Sequence, residues 1–568
     1  MPEQERIART SPGPDGSETC PWQLTSKQHQ ACVKIAYSSR PVIPILFLPG
    51  IMGTNLMNTD VKKNGSVWEP ANGIFSGLLM LASYLFKNAK KRGKELDPAK
   101  TEVYEDGEID YSPLPENDLQ KLRDRHWGGI YAAKYHGFMA KLQARLNQAG
   151  DDAIKGEQAV SKDWQGLLEY DPALFGRPSG KGEGTKPCLT LDEIKHLANF
   201  RFEVWAGGYN WLKSNGDAAI AINERINKIL TYYQGKLAVN KVIIITHSMG
   251  GLVARSLVSP QGKGLNKAGK VLGVIHGAMP ANGAAETYIS MRQGESGYLS
   301  PVLGRDAQEV GAVMAMAQGS LELLPFDNGN YRLTNDWQGG ESSSKWLRYG
   351  EQGNQILPGS KGACDEIYAA DTWYGLLPQV NLDKLQEINK ERDQKEAKKA
   401  LPPDANDRQF GVKDQSTTVR KDFETVIHNV KTFHMQITSV YHQDSFAFWG
   451  FEKTLPTMAG VDWQPYNGWW HPSASTTLDN GEGKTYDGQQ WRKLKVIEEP
   501  GDGTVPFASW REDRYLMRIC FVQGQGVAPG VHKGFGHQKA FANEQALAVS
   551  MYAIAKLVQQ VSVPGSCP

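Results

Sequence analysis

The chain runs to 568 residues, with 63 lysines and arginines against 62 acidic residues for a formal charge of +1. That balance removes any electrostatic argument for nucleic acid, and no stretch reaches the ~20 apolar residues of a membrane-spanning helix. The length exceeds one simple core, so one domain enlarged by insertions, or two domains, is expected; the six cysteines lack metal-ligand spacing, and no metal or cofactor is expected.

Residues 1–40 read as a polar extension. Val42 to Leu48 (V-I-P-I-L-F-L) is then a strand, followed by Pro49-Gly50-Ile51-Met52-Gly53, where Gly50 allows the backbone torsion that aims the Ile51 amide inward. Gly73 to Phe86 is a 14-residue apolar segment, too short to span a bilayer. It is either a buried helix or a lid that opens at a lipid surface, within an insertion over 57–125. A helix from Gly129 to Ala149, a strand from Phe200 to Trp205 and a helix from Asp217 to Tyr233 alternate as βαβα units. Such alternation implies a parallel sheet with its ligand site at the carboxyl ends of the strands. His126 and His136 flank the first helix and read as structural residues.

Lys241 to Arg255, K-V-I-I-I-T-H-S-M-G-G-L-V-A-R, sets a β-branched strand directly against a serine and a helix start. This is how a strained strand-to-helix turn presents a nucleophilic hydroxyl, and Ser248 is the expected nucleophile. Thr246 stands where such turns carry glycine, a position that must be small to clear the helix backbone. His247 reads as a packed or hydrogen-bonded neighbour and not as the base, because adjacent residues on the turn point apart. The Met249 amide directly after the serine is one expected oxyanion donor, and the Ile51 amide is the second.

Val271 to Ile275 makes the next strand, after which the rhythm breaks. A cap insertion over 286–421 contains M-A-M-A (Met314 to Ala317), flexible side chains that suit acyl chains and cores equally. It also holds a run from Asn381 to Ala400 that reads as an exposed helix laced with opposite charges. A strand at Thr432 to Tyr441 is expected to restore the sheet, and His434 and His442 are both read as strand residues with structural roles. A later insert over about 446–491 holds Trp469-Trp470, a surface hairpin or a membrane contact. In G-D-G-T-V-P, Asp502 lies between two glycines and is the expected acid; Glu498 and Glu499 extend a strand-like run and are weaker candidates. A strand from Tyr515 to Val522 leads to a glycine-rich loop with two histidines and a long helix to Val561. His537, just before that helix, is the expected base and His532 the alternative.

The set L-P-G-I-M-G-T-N-L, G-Y-N-W-L (Gly208 to Leu212), T-H-S-M-G-G, L-E-L-L-P (Leu321 to Pro325), G-D-G-T-V-P and the late histidine resembles lipases related to lecithin:cholesterol acyltransferase and the GPI inositol-deacylase. Within that group the chain looks most like the type VI secretion lipase effectors of the GxSxG branch. The resemblance implies an α/β-hydrolase fold, a mostly parallel sheet flanked by helices with large cap and lid insertions, its core over 41–285 and 422–568. It implies a triad of Ser248, Asp502 and His537, with oxyanion donors near Ile51 and Met249. It further implies phospholipase A-type cleavage of membrane phospholipid, a cognate immunity protein and a secretion apparatus component as partners, and action at a target cell's periplasmic membrane surface. With no hydrophobic signal core at the N-terminus, export is expected by a signal-less route. Cys20 and Cys32 are a possible pair after export, with free thiols expected in the producing cytoplasm. A lipid acyltransferase, an inositol deacylase-like esterase, and an inactive binding protein on a hydrolase scaffold are the rival readings.

Overall fold

The computed structural model describes residues 6–9, 11–12, 18–19, 33–36, 40–60, 65–70, 88–115, 118–149, 162–236, 238–262, 267–295, 304–326, 330–333, 344–350, 353–378, 381–390, 416–466, 483–487, 490–525, 527 and 529–563. At its centre is a seven-stranded sheet. Its strands are β1 (Val42–Leu48), β2 (Arg177–Ser179), β3 (Arg201–Ala206), β4 (Val242–His247), β5 (Val271–Gly277), β6 (Ser445–Gly450) and β7 (Ile519–Gln523). Their spatial order is β3-β1-β4-β5-β6-β7-β2, parallel throughout except for the antiparallel edge strand β2.

Every residue of β1 and of β4 is buried, as strands covered on both faces must be. Alternate side chains feed opposite cores: Ile43, Ile45 and Phe47 of β1 join Ile243 and Ile245 of β4 on one face. Leu46 and Leu48 join Val242 and Ile244 on the other. The first face is covered by α1 (Ala132–Asn147), through Phe138, Leu142 and Leu146, and by the C-terminal helix, through Met551 and Ile554. On the second face lie α2 (Asn215–Tyr232), α3 (Gly250–Val258) and α4 (Ser416–Ile437), and the C-terminal helix is α5 (Glu544–Val558). Burying each such Leu or Ile stabilises the fold by about 1.5–3 kcal/mol, so both faces are committed to the sheet. This is the α/β-hydrolase fold expected from the sequence.

Two elements differ from the sequence reading. Thr432 to Tyr441 is not a strand: through Ile437 it is the end of α4, and His434 stacks on Phe326 at 4.6 Å. The β-branched residues there are misleading because the controlling pattern is longer. Val419, Phe423, Ile427, Val430, Phe433 and Ile437 recur every three or four residues and form one buried helical stripe. His442 lies in the following loop, and the sheet resumes at β6, inside the stretch expected to be an insert. The second difference is at Tyr515, which belongs to the short 3-10 turn Asp513–Leu516, so β7 begins only at Ile519. Similarly, His136 lies inside α1 and not beside it.

Beyond β6 the chain leaves the central sheet as a long antiparallel pair, Glu452–Pro465 with Trp491–Gly501. Leu347–Tyr349 adds to it in parallel at Val461 to Trp463, so segments from two insertions build one five-stranded sheet. After the loop that follows β1, Leu56–Asn58, Ser66–Trp68 and Thr101–Val103 form a further three-stranded sheet. The start of the charged run, 381–390, is helical. The apolar segment Gly73 to Phe86, the Trp469-Trp470 pair and cysteines 20, 32 and 567 lie outside the described residues. Cys188, Cys364 and Cys520 are free thiols. Among the described residues no helix is long and apolar enough to cross a membrane.

Candidate active site

Ser248 sits between β4 and α3 with φ at 51°, a left-handed conformation that costs a non-glycine residue about 1–2 kcal/mol. Neighbouring backbone holds it there. The Ser248 N–H donates to the Gly277 carbonyl of β5 at 2.9 Å, and its own carbonyl accepts from the Gly251 N–H at 2.9 Å. A Cβ on Gly250 would meet the Pro49 and Leu48 carbonyls at 2.6 and 2.8 Å, so glycine there lets α3 begin against the loop after β1. Thr246 is buried, and its Oγ1 lies 3.2 Å from Nδ1 of His276 on the neighbouring strand.

The long antiparallel arm ends at Gly501 and delivers Asp502 into a tight turn. One carboxylate oxygen, Oδ1, accepts from the Val505 and Thr504 amides at 2.7 and 3.1 Å. The other, Oδ2, lies 2.8 Å from His537 Nδ1, while His537 Nε2 lies 2.9 Å from Ser248 Oγ. The His537 amide also donates to the Asp502 carbonyl at 2.7 Å, which fixes the imidazole's backbone to the acid's. All three side chains are buried. His532 is exposed on the same loop, Glu498 is exposed, and the buried Glu499 accepts from the Ala508 amide. Of the carboxylates and histidines considered from sequence, Asp502 and His537 are the ones brought to Ser248.

Beside this line runs the loop Pro49 to Gly53. Gly50 is close enough that a Cβ there would sit 3.0 Å from Ser248 Cβ. The Ile51 and Met249 amides donate to no group among the described residues. Loop shape is set by residues whose role the sequence reading left open. Tyr209, from G-Y-N-W-L, donates its hydroxyl proton to the Pro49 carbonyl at 2.8 Å, and its amide donates to Thr54 Oγ1. Tyr135 of α1 accepts from the Gly50 amide at 3.2 Å and lies 2.9 Å from His247 Nδ1. From L-E-L-L-P, Glu322 accepts from Ser214 Oγ, Gln318 Nε2 and both nitrogens of Asn215, and so holds the start of α2. Burial pushes that carboxyl up to about 7 against these donors.

Charge around the site is shaped by exclusion of water. Burial holds the His247 imidazole well below its usual range, and the charges of Lys134 and His537 push the same way. Removal from water pulls the Lys134 ammonium down to about 8, opposed by the Asp502 charge, and its Nζ donates to Gln538 Oε1 at 2.5 Å. Burial, then the charges of Glu295 and Asp502, push Glu286 up to about 8. No sequence signal marks Lys134, Tyr135 or Glu286, since their proximity to the triad arises only from packing. Among the described residues no group of His, Cys, Asp and Glu is placed to hold a metal ion. What the arrangement can do chemically is raise the nucleophilicity of a serine hydroxyl through an imidazole held by a carboxylate.

A family model described as a PGAP1-like alpha/beta domain matches residues 215–287, the span from α2 past β5 that contains Ser248. A chain in the crystal structure of the Tle4-Tli4 complex is similar over 92% of this chain and 100% of that one, with a TM-score of 0.73 at 27% identity. No curated protein gives a match. These findings agree with the resemblance carried by the motifs, to inositol-deacylase-like lipases and type VI lipase effectors, and with the α/β-hydrolase fold.

Proposed function

We propose that this α/β-hydrolase is a lipolytic serine hydrolase that cleaves carboxylic-ester bonds of membrane phospholipids. The observation that carries the reading is His537, bonded at 2.9 Å to Ser248 Oγ and at 2.8 Å to Asp502 Oδ2. Asp502 accepts the Nδ1 proton, which leaves Nε2 as the acceptor for the serine proton. Ser248 Oγ attacks the ester carbonyl as Nε2 takes that proton, and the Ile51 and Met249 amides hold the oxyanion. The ester C–O bond then breaks, the lysophospholipid leaves as an alcohol with the proton from His537, and the acyl group stays on Ser248. Water attacks the acyl-enzyme with His537 as base, the proton returns to Ser248 Oγ, and the fatty acid departs.

The biological setting belongs to the same proposal. The chain acts as an antibacterial type VI effector, working at the periplasmic membrane surface of a target cell and held in check in the producer by an immunity protein. Similarity to a chain of the Tle4-Tli4 complex supports a dedicated protein partner. The test is release of fatty acid from phosphatidylethanolamine and phosphatidylglycerol vesicles, run beside fluorophosphonate labelling. Ser248→Ala is expected to lose both label and release. Fatty-acid release at the wild-type rate in that variant removes Ser248 from its role. Expression directed to the periplasm is expected to arrest growth with the wild type and not with Ser248→Ala.

A further inference from the structure

We infer that Tyr135 and His247 are positioning residues, a buried relay that ties the oxyanion loop to the backbone of the catalytic base. The inference rests on the triad reading above. Its geometry is a chain of hydrogen bonds with a single direction. At one end the Gly50 amide donates to the Tyr135 hydroxyl at 3.2 Å. The Tyr135 hydroxyl lies 2.9 Å from His247 Nδ1, and His247 Nε2 lies 3.3 Å from the His537 carbonyl. An amide can only donate and a carbonyl can only accept, so both ends fix the order between them. Tyr135 therefore accepts from Gly50 and donates to Nδ1, and Nε2 carries the hydrogen given to the His537 carbonyl. Every polar atom along the line is satisfied by one tautomer of a neutral imidazole.

Packing holds the relay in register. Tyr135 packs against Phe47 at 5.0 Å, and the His247 ring lies 4.9 Å from His537 and 5.3 Å from Phe541. The loop is shaped around it. A Cβ on Gly53 would come within 2.8 Å of the Tyr135 hydroxyl, and one on Gly50 within 3.0 Å of His247 Nδ1. The two glycines of G-I-M-G thus leave the space that the relay fills, and the Ile51 amide follows directly on the residue the relay grips. A second positive charge at His247 would face the imidazolium that His537 becomes during acyl transfer, with Lys134 nearby; burial and those same charges keep His247 neutral. One device therefore sets both the oxyanion donors and the base.

Tyr135→Phe keeps the ring and leaves the Gly50 amide and His247 Nδ1 unpaired. The expected result is a kcat about 10- to 100-fold lower on a soluble ester with KM unchanged, since the loss falls on groups used in the transition state. His247→Phe is expected to fall as far, and the double variant no further than the worse single, because the two act as one unit. His247→Gln, which can still donate to the His537 carbonyl, is expected to recover part of the loss. Thermal unfolding of each variant separates loss of fold from loss of positioning. Should Tyr135→Phe not fold, equal kcat in His247→Gln and His247→Phe overturns the relay. Ser248→Ala runs beside them. If it keeps turnover, the triad reading falls and takes the relay with it; if it is inactive while Tyr135→Phe matches the wild type, the relay alone falls.

Discussion

The serine and the carboxylate that meet across His537 are held by two unlike regions. Ser248 belongs to a contiguous strand, turn and helix, and its strained φ of 51° is fixed by the parallel neighbours on either side of β4. Asp502 stands at the end of an antiparallel arm that runs out from β6 and back, with register shifts at Glu452/Pro456 and Met458/Gly460. Its placement depends on contacts far apart in sequence. Trp449 stacks on Trp510 at 4.8 Å, and the Gly503 amide donates to Thr457 Oγ1 at 2.9 Å. A nucleophile can be strained locally because buried backbone on both sides holds it. An acid supplied by an excursion needs its own anchors at the point of return.

The largest effect expected is at the arm's tip. In Asp502→Asn the amide oxygen can still accept from Val505 and Thr504, which turns the NH2 toward His537 and imposes the wrong tautomer. A kcat about 10^3- to 10^4-fold lower is expected, with little change in thermal unfolding, from ester turnover and calorimetry. Activity within tenfold of the wild type would mean that the arm does not deliver the acid.

Acid is expected to strain the sheet side and spare the arm. His136 is held to about 4 and His276 and His434 to about 3 by burial, with His247 also low, and all four lie on the sheet or its helices. Unfolded, each takes up a proton near pH 6.5; folded, it resists until its own lower value. The stability they contribute is therefore complete above 6.5 and lost as pH falls toward 4 and 3. Glu286 and Glu322, raised to about 8 and about 7, oppose this above 4.5, because their folded forms hold protons that the unfolded chain releases. A net loss of about 3 kcal/mol between pH 6.5 and 5 is expected, steeper below 4.5. Urea unfolding at stepped pH measures it, and a flat profile would contradict it.

Gly250→Ala tests the elbow's contact with the oxyanion loop. The added methyl meets two strand-end carbonyls that cannot retreat without moving Ile51, so a loss of about 1–3 kcal/mol in stability and a roughly tenfold or greater fall in kcat are expected. Thr457→Val is the mildest. It removes the acceptor for the Gly503 amide, for about 1 kcal/mol and a few-fold in kcat, measured by the same assays. If Thr457→Val costs more activity than Gly250→Ala, the arm is the less tolerant region and the comparison reverses.

Much of this was legible in the residues themselves. Continuous β-branched runs mark β1, β4 and β5, whose burial on both faces leaves no other pattern available. The T-H-S-M-G-G turn names the serine because strand, bend and helix start are contiguous there. The glycines around Asp502 and the rigid start of the helical segment at His537 nominate a carboxylate and an imidazole, each without its distance to Ser248. Local pattern was misleading at Thr432 to Tyr441, where β-branched residues sit on a helix whose stripe shows only over six turns.

Tertiary structure alone decided the rest. Which histidine faces the serine, which loop backbone lies against it, and the joining of Tyr135 to His247 all rest on pairs far apart in the chain, those two being 112 positions apart. Sequence specifies these contacts only through the total fit of two cores on either side of one sheet. The strands and the turn could be read in the chain because steric and hydrophobic periodicity act between near neighbours. The site's geometry could not, because hydrogen-bond distances are set where separate elements close on one another.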